Sequence, residues 1–356
     1  MITIKKHLQK LKPYIPGEDI TGNIKLASNE NPLGPSPKAI DAILRTANDI
    51  SRYPSSDGPK LKKEIAKKLL LSDKNIILGN GSDEILLLIA TTFITTEDEI
   101  ITVDPTFSIY ETTTQLFDGK TKKISLEDGY YNFEKIKEAI NPNTKIIYLC
   151  NPNNPTGTIF EKKQLESLLK TLPSNILIVI DEAYNEYVTN PEYPKVLDYI
   201  KDHNIIVLRT FSKIYGLAGL RIGYGIANTN LIEKISKVQL PFSVNKIAQK
   251  AALAALRDNE FLKKSLNNNE QGKQFLYQEL GKIGLKYIKT EANFIYIETP
   301  ISANKLFKML SDKGITIRAL DSFGCKNAIR VSIGLPEENK AFIENLKAVL
   351  PKSLIP

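Results

Sequence analysis

The sequence predicts an α/β protein: a large domain with a mostly parallel sheet flanked by helices, followed by a smaller C-terminal α+β domain. Two observations carry this expectation. From about Asn75 to Ala227 short apolar runs alternate with segments of helical period, and such alternation implies parallel strands whose crossover helices cover both faces. Beyond Pro241-Phe242-Ser243-Val244-Asn245 the pattern gives way to a long helical stretch, to about Ile283, and then to a second, shorter set of strands and helices.

Taken in order, residues 1–30, with Pro13, Pro16 and Gly17, read as an arm laid over the body. The lysines from Lys60 to Lys74 suit one solvated helix face. The strand-like runs are NIILG (75–79), EIITVDP (99–105), KIIYLCNP (145–152), NILIVIDEAY (175–184), NIIVLRTFS (204–212) and RIGYGIA (221–227). Asp83 to Phe93, Phe133 to Ile140 and Glu161 to Thr171 have the character of crossover helices. The C-terminal unit reads as strand (Ala292 to Glu298), helix (Ala303 to Asp312), strands (Thr316 to Leu320 and Ala328 to Ile333) and helix (Glu337 to Leu350). The expected division is therefore an arm over 1–30, a large domain over 31–245, and a linking helix with a small domain over 246–356.

Composition narrows the class. With 356 residues, 42% hydrophobic and 25% charged, the chain suits two globular domains and neither a disordered nor a fibrous protein. A net charge of +8 would suit an anionic ligand. The basic residues are scattered without an aromatic–basic module, so no nucleic-acid partner is expected. Two cysteines cannot build a disulfide framework, neither has metal-ligand spacing, and two histidines do not support a zinc site or a Ser-His triad. No metal is expected. The N-terminus lacks an apolar signal core and the stretch from Ile85 to Ile94 is too short to span a bilayer, so the expectation is a cytoplasmic protein with no membrane partner.

The candidate chemistry gathers at the carboxyl ends of the expected strands, where open α/β sheets bind ligands. Lys213 follows NIIVLRTFS and Asp181 ends NILIVID. A lysine alone is most often solvated surface. Here Ser212 and Arg221 can both reach an anion, and Gly216 and Gly219 allow a close backbone approach. Gly79-Asn80-Gly81-Ser82-Asp83-Glu84 follows a strand and opens an apolar helix, so Ser82 and Asp83 sit where free N–H groups could cradle a phosphate; a plain capped turn would look similar. Asn151-Pro152-Asn153-Asn154-Pro155-Thr156-Gly157 fixes an irregular turn that could aim Asn154 into the crevice. Tyr184 lies three residues beyond Asp181. Phe107, in Pro105 to Tyr110, could lie flat on a ring or simply fill core, and Tyr53 is a weaker candidate phosphate donor. A lysine able to form a Schiff base, a carboxylate for a ring nitrogen and donors for a phosphate together read as a pyridoxal phosphate site.

These motifs resemble the fold type I pyridoxal phosphate aminotransferases, the aspartate aminotransferase superfamily, over nearly the whole chain. The resemblance rests on KPYIPG (12–17), KLASNENPLGPSP (25–37), RYPSSDG (52–58), GNGSDE (79–84), NPNNPTG (151–157), DEAY (181–184), FSKIYGLAGLRIGY (211–224) and AIRVSIG (328–334). It implies that Lys213 bonds the cofactor's aldehyde carbon, Asp181 binds the ring nitrogen, Asn154 and Tyr184 bind the ring oxygen, and Phe107 stacks on the ring. It also implies that Ser82, Asp83, Ser212 and Arg221 hold the phosphate, with Tyr53 reaching across from a second subunit of a homodimer. Catalysis would fall to Lys213, Asp181 and Tyr184. Arg330 resembles the superfamily's carboxylate-gripping arginine, and Arg318 and Tyr14 are further substrate candidates.

The asparagine-rich Ser28 to Pro32 stretch favours the branch that exchanges an amino group between histidinol phosphate and 2-oxoglutarate. Alternatives left open by the residues are a threonine-phosphate decarboxylase, an aromatic amino acid aminotransferase, and a module that senses the cofactor without turnover.

Overall fold

Runs of isoleucine, leucine and valine too short for helices pair into a seven-stranded sheet. The computed structural model describes residues 2–11 and 20–351. After a two-residue strand β1 (Ile24–Lys25) and helices α1 (Pro37–Thr46) and α2 (Pro59–Leu69), the sheet strands follow. They are β2 (Ile76–Gly79), β3 (Glu99–Asp104), β4 (Lys120–Ser125), β5 (Thr144–Cys150), β6 (Leu177–Asp181), β7 (Ile205–Thr210) and β8 (Gly223–Ala227). Helices α3 (Ser82–Phe93), α4 (Ile109–Gln115), α5 (Phe133–Ala139), α6 (Lys162–Thr171) and α7 (Thr229–Ser236) lie between and after them.

The order across the sheet is β2-β8-β7-β6-β5-β3-β4. Every pairing is parallel except those of β8, which runs antiparallel to both β2 and β7. Successive strand residues point to opposite faces, and both faces are buried. Ile147, Leu149, Ile178, Ile180, Ile205 and Val207 enter one apolar core, while Ile146, Tyr148, Val179, Ile206 and Leu208 enter the other. Each such side chain contributes about 1.5–3 kcal/mol on burial, which makes the central strands a rigid platform for whatever stands at their ends.

Strand β4 was not expected from the sequence, because KTKKIS carries three lysines and little apolar signal. It pairs only with β3. Lysines on an edge strand discourage pairing with another chain, so the polarity that hides the strand also fits its place.

The helical stretch expected to run unbroken to Ile283 divides into α8 (Lys246–Leu256) and α9 (Asn259–Ile283). Buried Asp258 caps α9 by accepting from the Phe261 N–H, and ending one helix there lets the next start at a new angle. The small domain follows with β9 (Tyr287–Ile288), β10 (Phe294–Glu298), α10 (Ala303–Ser311), β11 (Ile315–Thr316), β12 (Arg318–Ala319), β13 (Ala328–Ser332) and α11 (Pro336–Val349).

Strands β12, β13, β10 and β9 form an antiparallel sheet in that order. The single strand expected over Thr316 to Leu320 is shared between two sheets: Ile315 and Thr316 pair in parallel with Ile24 and Lys25, while Arg318 and Ala319 pair with β13. Ile24 and Lys25 lie inside the expected arm, and neighbouring Leu26 is part of the small domain's core. Among the described residues no helix is long and apolar enough to cross a membrane.

Candidate active site

The reversal of β8 creates one corner of the site. Because β8 is antiparallel to both neighbours, its first residue, Gly223, lies beside Gly79 at the end of β2 and Thr210 at the end of β7. The turn after β2, the start of α3, the loop after β7 and Arg221 therefore meet at one edge. Arg221, itself in the left-handed region at φ 53°, donates from Nη1 to Ser212 Oγ at 3.4 Å and from Nη2 to Asp83 Oδ2 at 3.2 Å.

Gly81 has φ +78°, and a Cβ there would stand 2.5 Å from Arg221 Nη2, so only glycine leaves the guanidinium room. Ser82 is the first residue of α3, and the opening N–H groups of a helix lack intrahelical acceptors. One guanidinium, a serine hydroxyl and a helix start thus converge on a space suited to a phosphate.

The second group stands at the ends of β5, β6 and β7. Asp181 is 3% exposed; its Oδ2 accepts from the Tyr110 hydroxyl at 2.8 Å and its Oδ1 from the Ala183 N–H at 3.1 Å. No ion pair to this carboxylate occurs among the described residues. Lys213 is half-buried, donates from Nζ to the Ser28 carbonyl at 3.1 Å, and lies 5.7 Å from the centre of the Tyr184 ring. The Tyr184 hydroxyl accepts from Asn29 Nδ2 at 3.0 Å.

The expectation for Gly216 is met, since a Cβ there would strike the Gly34 carbonyl oxygen at 2.1 Å, whereas Gly219 faces open space and supports no close approach.

The small domain supplies the third group. Arg330 on β13 is 6% exposed, donates from Nη1 to Asn154 Oδ1 and from Nη2 to the Ala27 carbonyl at 2.7 Å, and lies over the Phe294 ring. Occupying Oδ1 fixes the Asn154 amide, so its NH2 group is the one left to face the crevice. Arg318 is the direct cross-strand partner of Arg330 and so shares its face of the sheet. Its Nη2 donates to Ser322 Oγ at 3.3 Å.

One candidate is not brought to the others by this chain's own packing among the described residues. Tyr53 is 80% exposed and stacks on Phe242 at 4.7 Å, with no hydrogen bond to the other candidates. Tyr14 lies outside the described residues. Phe107 is half-buried, edge-on to Tyr110 with ring centres 5.7 Å apart. Sequence reasoning passed over Tyr110 and Asn29. Tyr110 sits within the same Pro105 to Tyr110 run as Phe107, and Asn29, at φ 56°, lies in the asparagine-rich stretch already noted.

Burial sets the electrostatics. It pushes Asp181 up to about 6, with the Tyr110 hydroxyl and the Ala183 N–H opposing, nearby Asp83 adding to the rise and Lys213 drawing it down. It pushes Lys213 down to about 8, helped by the Arg330 and Arg221 guanidinium groups and opposed by Glu30 and Asp83. Burial also raises the Tyr184 phenol, against the pull of Arg330 and the bond from Asn29. A cation against Asp181 would relieve its carboxylate, as a protonated ring nitrogen would.

The linkage has a definite sign. A carboxyl raised in the folded state binds more protons than the unfolded chain between its ordinary value and about 6, so stability falls as pH rises through that window. In the cofactor-free protein, Asp181→Asn is therefore expected to stabilise by about 2–3 kcal/mol near pH 7.5 and by almost nothing near pH 4. Urea unfolding at the two pH values measures this.

The donor set fits pyridoxal phosphate: a lysine near a buried carboxylate without an ion pair among the described residues, an amide and a phenol close by, and an anion cradle at the adjoining sheet edge. Residues 21–346 match the family model described as aminotransferase class I and II. The chain is 43% identical to the histidinol-phosphate aminotransferase of Moorella thermoacetica, over 97% of this chain and 92% of that protein. It is 44% identical to that of Caldicellulosiruptor saccharolyticus, over 96% and 99%.

Among solved structures, the histidinol-phosphate aminotransferase of Sinorhizobium meliloti in complex with pyridoxal-5'-phosphate superposes with a TM-score of 0.89 at 26% identity, covering 98% of both chains. The fold is that of the fold type I pyridoxal phosphate enzymes, and the cofactor is pyridoxal phosphate. With its family match and its nearly full-length relatives in agreement, the chain belongs to the class I and II aminotransferase family, in the histidinol-phosphate aminotransferase group.

Proposed function

We propose that the protein transfers an amino group reversibly between L-histidinol phosphate and 2-oxoglutarate, giving imidazole acetol phosphate and glutamate, within histidine biosynthesis. The observation that supports this reading is Lys213 within electrostatic reach of buried Asp181 and of the Arg330 guanidinium, in a chain 43–44% identical to proteins named for this reaction. Pyridoxal phosphate, when bound, supplies an aldehyde carbon that bonds an amine and a protonated ring that takes up electrons.

Asp181 would hold a proton on the ring nitrogen. Asn154 Nδ2 and the Tyr184 hydroxyl would donate to the ring oxygen, and Phe107 would pack on the ring. Ser82, Asp83, Ser212 and Arg221 would hold the phosphate, Asp83 through its backbone N–H and by orienting Arg221. Lys213 Nζ would bond the aldehyde carbon and, as a free amine, would take up and pass on the proton of the donor's Cα. A lysine near 8 suits a base that must be partly neutral at physiological pH. Arg330 grips the donor's phosphate in one half-reaction and the keto acid's carboxylate in the other, a planar fork meeting an anion, with Arg318 and Tyr14 as further substrate candidates.

The domain division follows the same reading: an arm over 1–30, the cofactor domain over 31–245, and the linking helices with the small domain over 246–356. The exposed stack of Tyr53 on Phe242, near exposed Leu240, supports a homodimer in which Tyr53 serves the partner's phosphate. Mixed dimers of Tyr53→Phe and Lys213→Ala subunits should then recover about half of the parent's activity, since one of the two sites is intact. Activity no higher than the average of the two variant homodimers would contradict sharing.

Donor choice tests the reaction itself. Histidinol phosphate should exceed threonine phosphate and aromatic amino acids by at least about a hundredfold in kcat/KM, as expected when a buried ion pair to one donor is absent or misplaced in another. Carbon dioxide release from threonine phosphate would contradict the reading.

A further inference from the structure

Behind the site, on the opposite face of the strand ends, lies a polar network that none of the assignments above uses. Asp181 and Glu182 are consecutive, so their side chains leave β6 in opposite directions. Asp181 meets Tyr110, while Glu182, 1% exposed, meets Arg209 near the end of β7. Arg209 Nε donates to Glu182 Oε2 at 2.9 Å, and Nη2 is ion-paired with the same oxygen at 2.8 Å. The Tyr193 hydroxyl donates to the Asn151 carbonyl at 2.6 Å and lies 3.3 Å from Glu182 Oε1. The main chain runs along the same line: Asn151 N–H donates to the Asp181 carbonyl, and Glu182 N–H to the Leu208 carbonyl, each at 2.8 Å.

We infer that Arg209, Glu182 and Tyr193 are positioning residues, a buried clamp that fixes the ends of β5, β6 and β7 against one another and thereby the spacing of Asn154, Asp181 and Lys213. The arithmetic of the chain supports this. Asn151 precedes Asn154 by three residues, Glu182 directly follows Asp181, and Arg209 precedes Lys213 by four. Glu182 and Arg209, and the Asn151 that Tyr193 holds, thus each sit within four residues of the group they would position. Stability alone explains the pair poorly, because a buried ion pair is often no more stabilising than apolar residues of the same volume. A planar fork closing on one carboxylate fixes distance and direction together, which an ammonium group does not. A displacement of 1 Å in a reacting group costs about a hundredfold in rate.

The inference rests on the proposed function only in taking Asn154, Asp181 and Lys213 as the cofactor's partners. The test uses the holoenzyme with Arg209→Lys, the apolar double variant Arg209→Met with Glu182→Leu, and Tyr193→Phe. Three readouts are taken: kcat and the keto-acid KM, the pH at which the bound cofactor's visible absorbance titrates, and Tm. A positioning role predicts a fall in kcat of about 10–100-fold for Arg209→Lys and the double variant, with the keto-acid KM within about threefold because Arg330 stands on the small domain. It also predicts a shift of at least about half a pH unit in the absorbance titration, since that titration reads the surroundings of Lys213 and Asp181. Tyr193→Phe should show the same shift in smaller degree with Tm nearly unchanged.

Parent-like kcat and titration, with only Tm lowered, would overturn the inference. If the double variant does not fold, Tyr193→Phe and Arg209→Lys decide it by the same readouts. A parent whose cofactor titrates but accepts no amino donor would count against the proposed function, and the titration shift would still decide the clamp.

Discussion

Replacing Lys213 by alanine is expected to lower kcat by at least about 10⁴-fold, to the limit of detection, while leaving a folded protein. The size follows from the two tasks that fall on one nitrogen. On the proposed reading Lys213 Nζ both bonds the cofactor's aldehyde carbon and carries the proton from the donor's Cα, and a positioned acid–base group alone is worth about 10²–10⁴. No second amine can take over, because the nearby cations, Arg221 and Arg330, are guanidinium groups that do not lose a proton.

The fold should survive, since Lys213 makes a single hydrogen bond, to the Ser28 carbonyl, and its charged form is already disfavoured where it stands. With the folded value near 8, the charge at pH 7 costs stability, and the cost disappears as pH rises above that value. The cofactor-free Lys213→Ala protein should therefore melt no lower than its parent at pH 7. Steady-state turnover, circular dichroism and thermal melting check the two halves of this prediction, and turnover above background in the variant would contradict the role assigned to Lys213.

Asp181→Asn is expected to cost about 10²–10⁴-fold in kcat with a much smaller change in the KM for either substrate. The carboxylate stands at 3% exposure with hydrogen bonds only from Tyr110 and Ala183, so its charge is directed at whatever cation enters the crevice. An amide of the same shape would keep much of the packing and lose the charge that holds a proton on a ring nitrogen. Preorganised charge in a dry site is commonly worth several kcal/mol of transition-state stabilisation. The same substitution is expected to stabilise the cofactor-free protein near neutral pH, so gain of stability and loss of rate should appear together in one variant. That pairing is the signature of a group kept strained for function. A variant with near-parent kcat would place the essential carboxylate elsewhere.

Much of this site was readable before any coordinates, because its parts are local. Asp181 ends an apolar run, Lys213 follows another, and the Gly79 to Glu84 turn opens a helix, so strand ends alone put them on one edge of a parallel sheet. The antiparallel course of β8 was not readable, since RIGYGIA looks the same in either direction, and it is this reversal that brings Arg221 beside α3. The lysines of β4 concealed an edge strand, and Asp258 broke a helix whose apolar period runs on without interruption. Asn29 and Tyr110 were missed for a different reason: each reaches the site through long-range hydrogen bonding, to Tyr184 and Asp181, which no local pattern announces. Tyr53 is exposed and stacks on Phe242, so the fold of one subunit does not bring it to the other candidates.

The central claim is tested most directly by a single half-reaction. Purified holoenzyme is mixed with histidinol phosphate without a keto acid, and the visible absorbance of the bound cofactor is followed. One equivalent of donor per site should remove that absorbance, with one equivalent of the keto product formed and no carbon dioxide, and added 2-oxoglutarate should restore it. An absorbance unmoved by histidinol phosphate but removed by threonine phosphate or an aromatic amino acid would contradict the assigned donor.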